Sequence, residues 1–188
     1  MRPLRADDDE ITRWARLAGR GDQVALEHFV RATQPHVWRF VASLGDAQTA
    51  DDLVQETYLR ALGSLSRFKG DSSARTWLLS IARRAVADQI RAARCRPRSA
   101  SAADWQTLAE PATRSMLEEQ VVMDQLVGAL DPERRDAFVL TQALGLSYAD
   151  AAEVCGCPIG TIRSRVARAR DDLLAAMADA PPRRTAVG

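Results

Sequence analysis

Four residues near the carboxy-terminal end have the types and spacing to read nucleic acid: Arg163, Ser164, Ala167 and Arg168. On a helix turning about 100° per residue they fall on one face, with no acid among them. Ile162, Val166, Ala169, Leu173 and Met177 fall on a separate narrow stripe suited to burial. Arginine can grip a guanine edge with two hydrogen bonds, and small neighbours let the helix approach the floor of the major groove. Arg165 and Arg170 lie at the flanks, where phosphate contact is the expected chemistry. The competing reading is a packed helical hairpin whose arginines face only water.

Such a helix needs a partner to hold it. Leu146-Ser147-Tyr148-Ala149-Asp150 has the form of a helix start, with Ser147 as cap and Asp150 as a short version of the reciprocal capping box. That helix must end by Gly156, whose missing side chain permits a sharp reversal, and Pro158 suits the first position of the next helix. Ala152, Gly156 and Ile162 thus have the arrangement of a helix-turn-helix. Cys155 and Cys157 flank the turn, and together with Cys95 their spacing fits neither a disulfide framework nor a four-ligand zinc site. Packing as small apolar side chains is their expected role, and neither a metal nor a cofactor is expected.

A second basic region runs from Leu65 to Arg98, where nine arginines and lysines are opposed only by Asp71 and Asp88. A helix over Ala74–Arg94 places Leu78, Ala82, Ala85, Val86 and Ile90 on an apolar arc. Arg83, Arg84, Arg91 and Arg94 then gather within about a quarter of its circumference. Ser72 and Ser73 can cap this helix, and Trp77 near its start reads as core rather than as a base-stacking wedge. Just upstream, Phe68-Lys-Gly-Asp-Ser-Ser-Ala-Arg75 is a polar loop with one flexible glycine and two hydroxyls, suited beside an arginine-lined helix to holding an unstacked base.

Acids cluster elsewhere, at Asp7 to Glu10 and Asp46 to Glu56. On the helix expected over Asp51–Leu62, Leu53, Thr57, Ala61 and Val54, Tyr58, Leu62 form adjoining apolar rows, leaving Asp52, Gln55, Glu56 and Arg60 outward. A polar row of Asp52, Gln55 and Glu56 suits a basic protein surface and would repel DNA. The plainer alternative is a solvated face in which Glu56 pairs with Arg60 one turn later.

The chain has 188 residues, 46% hydrophobic and 27% charged, with 26 Lys+Arg against 25 Asp+Glu, so the net charge of +1 conceals two basic surfaces and an acidic one. Every long segment has helical periodicity, which predicts an all-α protein. Periodicity lapses over Arg96–Thr113, rich in small and polar residues with Pro97 and Pro111, and returns with Met116, Val121, Leu126 and Leu130. Asp131-Pro132-Glu133 then restarts a helix. The expected organisation is a helical body over 1–95, a flexible linker over 96–115, a second body over 116–180 and a frayed tail over 181–188. No run of about 18 apolar residues exists, so membrane insertion is not expected. The N-terminus turns acidic where a signal peptide needs its apolar stretch, and a cytoplasmic location follows. With no paired histidines and no phosphate-cradling glycine loop, the chain is not expected to be an enzyme.

The order of these motifs resembles a bacterial sigma factor of the extracytoplasmic-function group over almost the whole chain. Asp51-Asp-Leu-Val-Gln-Glu-Thr-Tyr-Leu-Arg-Ala-Leu62 is similar to the region 2 helix that grips the polymerase clamp, and Arg75-Thr-Trp-Leu-Leu-Ser-Ile-Ala-Arg83 to the helix that melts and reads the −10 element. Leu146–Ala152 and Gly160–Arg170 are similar to the region 4 helix-turn-helix that reads the −35 element. The resemblance implies an alternative sigma factor that binds core RNA polymerase and promoter DNA, and it leaves room for an anti-sigma partner. By position it places Asp52, Gln55, Glu56 and Leu59 at the polymerase clamp. Ser72, Ser73, Arg75, Arg83, Arg84 and Arg91 fall near the −10 strand, and Arg163, Ser164, Arg165 and Arg168 at the −35 duplex. Ala167 departs from relatives that carry a bulky side chain there. The rival is a free-standing helix-turn-helix regulator with a helical sensor domain.

Overall fold

The computed structural model describes residues 4–44, 49–95, 123 and 125–178. The expected linker and tail, and all of 116–122, lie outside these residues, as does the side chain of Arg94. Among the described residues every regular element is helical, as periodicity predicts. Helices α1 (Leu4–Ala18), α2 (Gln23–Leu44), α3 (Ala50–Ser64) and α4 (Ala74–Cys95) form the first half. Helices α5 (Pro132–Phe138), α6 (Tyr148–Cys155) and α7 (Ile159–Ala178) form the second.

The first half buries one stripe from each helix: Ile11 and Ala15 of α1, Phe29, Val37 and Phe40 of α2, Leu53 and Ala61 of α3, and Leu78, Ala82 and Val86 of α4. Inside it the Tyr58 hydroxyl lies 2.7 Å from Thr33 Oγ1. Burial pushes that phenol up to about 12 despite the threonine contact, so the pair stays neutral in the core. Leu62, Ile90 and Met177, expected on buried rows, are exposed. Each lies toward the carboxy-terminal end of its helix, where the apolar period runs on beyond the neighbours that cover its earlier members.

Caps set the helix boundaries. Ser73 Oγ accepts the Thr76 N–H at 3.0 Å and starts α4 where the serine pair predicts. Asp131 accepts from the N–H groups of Glu133 (3.0 Å) and Arg134 (3.4 Å), with Pro132 in the first turn of α5. After α5 the chain widens, and the Leu144 N–H bonds Val139 O at 2.9 Å, one residue farther back than in an α-helix. No residue pattern announces that wide turn. Ser147 Oγ accepts the Asp150 N–H at 3.1 Å and caps α6. The Asp150 carboxylate does not complete the reciprocal box; it accepts hydrogen bonds from the Ser147 and Thr76 hydroxyls. Pro158 stands just before α7, where its carbonyl takes the Thr161 N–H at 2.9 Å.

The all-helical, two-part order stands, but the two parts pack together rather than merely sharing a tether. Buried residues of α1–α4 and those from Ala137 to Val166 belong to one continuous apolar core, and α4 lies against α6.

Gly156 adopts φ 64°, and a Cβ there would meet open space, so the backbone conformation alone would resist a side chain. Gly156→Ala is expected to cost about 1–2 kcal/mol. Urea unfolding should show a lower midpoint at an unchanged slope.

Candidate nucleic-acid interface

The helix-turn-helix is built from α6, the left-handed Gly156 and α7. Ile162, Val166, Ala169 and Leu173 are buried, which turns the opposite face of α7 outward. Arg163 and Arg168 are exposed there, with no hydrogen bond or ion pair among the described residues. Ser164 is exposed too, its hydroxyl bonded to Thr161 O at 2.9 Å, and Ala167 leaves the surface between the two arginines low.

Arg165 behaves differently. Its guanidinium pairs with Glu133 of α5 and reaches Cys157 Sγ at 3.5 Å, leaving the side chain only 17% exposed. In this arrangement it clamps α7 to α5 rather than facing outward. Arg170 is likewise held, by Gln142 at 2.7 Å. Cys155 is buried, which pushes its thiol up to about 12 and keeps it protonated, as a packing role requires.

The basic face of α4 is split. Arg84 and Arg91 are exposed, Arg84 bonding Ser80 O at 3.1 Å and Arg91 pairing with Asp88. Arg75 is only 3% exposed. It donates to Asp8 Oδ2 at 2.8 Å on one side and to Leu144 O, in the second half, at 3.1 Å on the other. Arg83 donates to Asp136 Oδ2 of α5 at 2.6 Å and to Cys155 O at 3.5 Å. Thr76 adds a bond to Asp150 at 3.3 Å. Burial is the largest influence on Asp136 and pushes its carboxyl above the usual carboxylate range, while Arg83 pulls it down. Burial also opposes the charge on Arg83, but the hydrogen bond and charge of Asp136 more than offset it and raise the guanidinium further. Ser72 and Ser73 are half-buried beside a cleft, with Ser73 spent as the cap of α4.

The candidate −10 residues therefore divide: Ser72, Arg84 and Arg91 reach the surface, whereas Arg75 and Arg83 are closed over by the second half. Sequence reasoning placed the arginines and missed the acids that hold them, because Asp8 and Asp136 lie 67 and 53 residues from their partners. On α3, Asp52, Gln55 and Leu59 are exposed, Leu59 at 60%, and Glu56 pairs with Arg60 at 2.7 Å. The plainer expectation for Glu56 is thus met. Arg60 also holds Asp88 at 2.6 Å, linking α3 to α4. Among the described residues no group of three or more His, Cys, Asp or Glu is placed to hold a metal ion, and no helix is long and apolar enough to cross a membrane.

Comparison with known proteins decides what these surfaces belong to. Residues 29–96 match the Sigma-70 region 2 family model, and residues 120–173 match that of Sigma-70, region 4. The chain is 53% identical to the ECF RNA polymerase sigma factor SigC of Mycobacterium tuberculosis, over 97% of both chains. The chain belongs to the sigma-70 family, in its extracytoplasmic-function group. It is also 39% identical to the sigma factor EcfG of Rhodopseudomonas palustris, over 80% of this chain and 84% of the relative. Among solved structures, CnrH in complex with the cytosolic domain of CnrY superposes with a TM-score of 0.72 at 25% identity, covering 92% of this sigma factor and 99% of CnrH. Sigma factor RpoE of Bartonella quintana, solved with the anti-sigma factor NepR, gives 0.63 at 28% identity, covering 83% and 98%.

Asp136→Ala leaves half-buried Arg83 without its carboxylate. The closed contact of this sigma factor is expected to lose about 1–3 kcal/mol. Small-angle scattering should record a larger radius of gyration than for the parent; an unchanged radius would show that the apolar contact suffices.

Proposed function

We propose that this alternative sigma factor directs initiation by dividing promoter reading between two surfaces, with α3 as the polymerase grip. The observation that carries the reading is the outer face of α7. Two unpaired arginines stand there over a fully buried stripe, with only small or hydroxyl side chains between them. Arg163 and Arg168 would read base edges of the −35 duplex, and Ser164 would sit close to the groove floor. Arg165 would serve chiefly to orient α7, given its pairing with Glu133.

The −10 strand falls to Ser72, Arg84 and Arg91 at the surface, joined by Arg83 once the halves part, while Arg75 keeps Asp8 of α1 as its partner in the same half. In the closed arrangement the Arg83 guanidinium is spent on Asp136 and Cys155 O, and Leu144 O covers Arg75, so polymerase docking would have to separate α4 from α6 before Arg83 is available. Asp52, Gln55 and Leu59, exposed along α3, combine charge with an apolar anchor, the composition of a protein-binding rather than a DNA-binding face. Both solved relatives were caught with a second protein, and an anti-sigma protein is proposed as a regulator here too. The sigma factor would work in the cytoplasm and carry no catalytic chemistry of its own.

In vitro transcription on a promoter library with added core polymerase tests the whole reading: transcription without core, or none with it, would overturn it. Arg168→Ala should cost about 1–3 kcal/mol at the −35 element and relax base preference at one position. Selection of bound sequences separates that outcome from a uniform loss, which would assign the residue to phosphate. Asp52→Lys with Leu59→Ala should weaken core binding, measured by fluorescence anisotropy, without changing the circular dichroism of the free chain.

A further inference from the structure

We propose a third nucleic-acid contact on α1: a phosphate track of Arg13, Arg16 and Arg20 that takes the single-stranded backbone next to the base held by the Phe68–Arg75 loop. It rests on the reading that this loop captures an unpaired −10 base.

Arg13 and Arg16 lie one turn apart on α1, and Arg20 follows in the turn after it. All three border an open cleft of about 760 Å³ whose floor is the Gly70–Ser73 segment. A smaller recess of about 300 Å³ continues past Arg16 and Arg20 to Lys69, so basic side chains follow the loop on both sides. The family match begins at residue 29 and leaves this row outside it.

Arg16 is built into the loop. Its guanidinium donates to Gly70 O at 3.4 Å, and a Cβ on Gly70 would lie 2.3 Å from Nη2. Gly70 has φ 80°, a backbone conformation that favours glycine, and the Arg16 tip that would have to yield to a Cβ is held there by its bond to the Gly70 carbonyl. This makes Arg16 a positioning residue as well as a charge. Among the described residues the exposed Arg13 guanidinium pairs with Glu10 alone, at 3.4 Å, and the Arg20 side chain has no ion pair or hydrogen bond. The Arg20 guanidinium is open to an anion, and Arg13 would exchange its long, exposed contact with Glu10 for one.

The opposite wall is acidic, and its source matters. Asp150 and Glu153 belong to α6, in the second half, and neither pairs with the arginines across the cleft. In the closed arrangement they stand where a strand's phosphates would run. When the halves part that wall leaves with α6, and Asp9 and Asp71, together with Glu10 beside Arg13, are carboxylates that remain near the three arginines. An open cleft of this kind, with flanking hydroxyls and no apolar enclosure, fits an extended polyanion rather than a small apolar ligand.

The test uses the full chain as holoenzyme with core polymerase, titrated with a short fluorescein-labelled single strand of mixed sequence across a range of salt. Arg13→Ala/Arg20→Ala is expected to weaken binding several-fold at low salt. It should also flatten the plot of log affinity against log salt by about 1.4, two single-strand phosphate contacts at about 0.7 each. Arg13→Lys/Arg20→Lys should restore the slope, and Glu153→Gln should tighten the strand's binding to the free chain. Both arginines are exposed, so loss of fold does not compete as an explanation. Unchanged affinity and slope in the double-alanine variant, with Ser72→Ala and Arg84→Ala still weakening the strand, would overturn the track and leave the −10 reading intact. If none of these variants changes single-strand binding, both fall.

Discussion

A guanidinium shut away from water fixes how the halves of this sigma factor meet. Arg75 cannot sit at 3% exposure without partners for its donors, because an unsatisfied buried charge costs several kcal/mol. Asp8 supplies a carboxylate from α1 and Leu144 a carbonyl from the segment before α6. Once that arginine is placed, α4 has little freedom to turn. Thr76 and Arg83, two turns apart on one side of it, come to face Asp150 and Asp136. The wide turn over 139–143 makes this possible, since it brings the Leu144 carbonyl to the arginine and returns Leu144 and Leu146 to the core.

On the proposed reading, this contact would tie availability of the −10 face to a conformational equilibrium. A strand that needs Arg83 would bind only molecules whose halves have parted, so its apparent affinity would fall in proportion to the closed fraction. Anything that favours the open form, core polymerase above all, returns that affinity without a new contact to DNA. The proposed −35 face would escape this control, because Arg163 and Arg168 are exposed in the closed form.

Legibility followed distance along the chain. Ser73, Asp131, Ser147 and Gly156 act on neighbours within a few residues, and each terminates or starts a helix where its chemistry predicts. The buried stripe of α7 and its outward arginines follow from a single helical period. Arg75 and Arg83 were grouped with surface charge because an isolated arginine almost always is surface charge, and nothing local names a carboxylate more than fifty residues away. Arg165 hides its pairing with Glu133 for the same reason, across 32 residues. The arginine row at Arg13, Arg16 and Arg20 is harder to read in the sequence, because Asp7 to Glu10 just before it and Asp22 just after offset its charge over the wider segment. Leu62 and Ile90 show the limit of periodicity: it names a face but not how far along the helix a neighbour extends.

The cross-links between α5 and α7 bear on reading accuracy. Arg165 to Glu133 and Arg134 to Asp172 join the two helices at separated points, with Leu130, Ala169 and Leu173 packed nearby. Individually such pairs contribute little energy. Their value is stiffness: a 20-residue helix is about 30 Å long, so a tilt of about 10° about its start would sweep the far end by about 5 Å. That exceeds the spacing of adjacent base pairs, about 3.4 Å. Braced at two points, α7 would serve the proposed reading as a rigid ruler, its arginines moving with the second half rather than by tilting against α5.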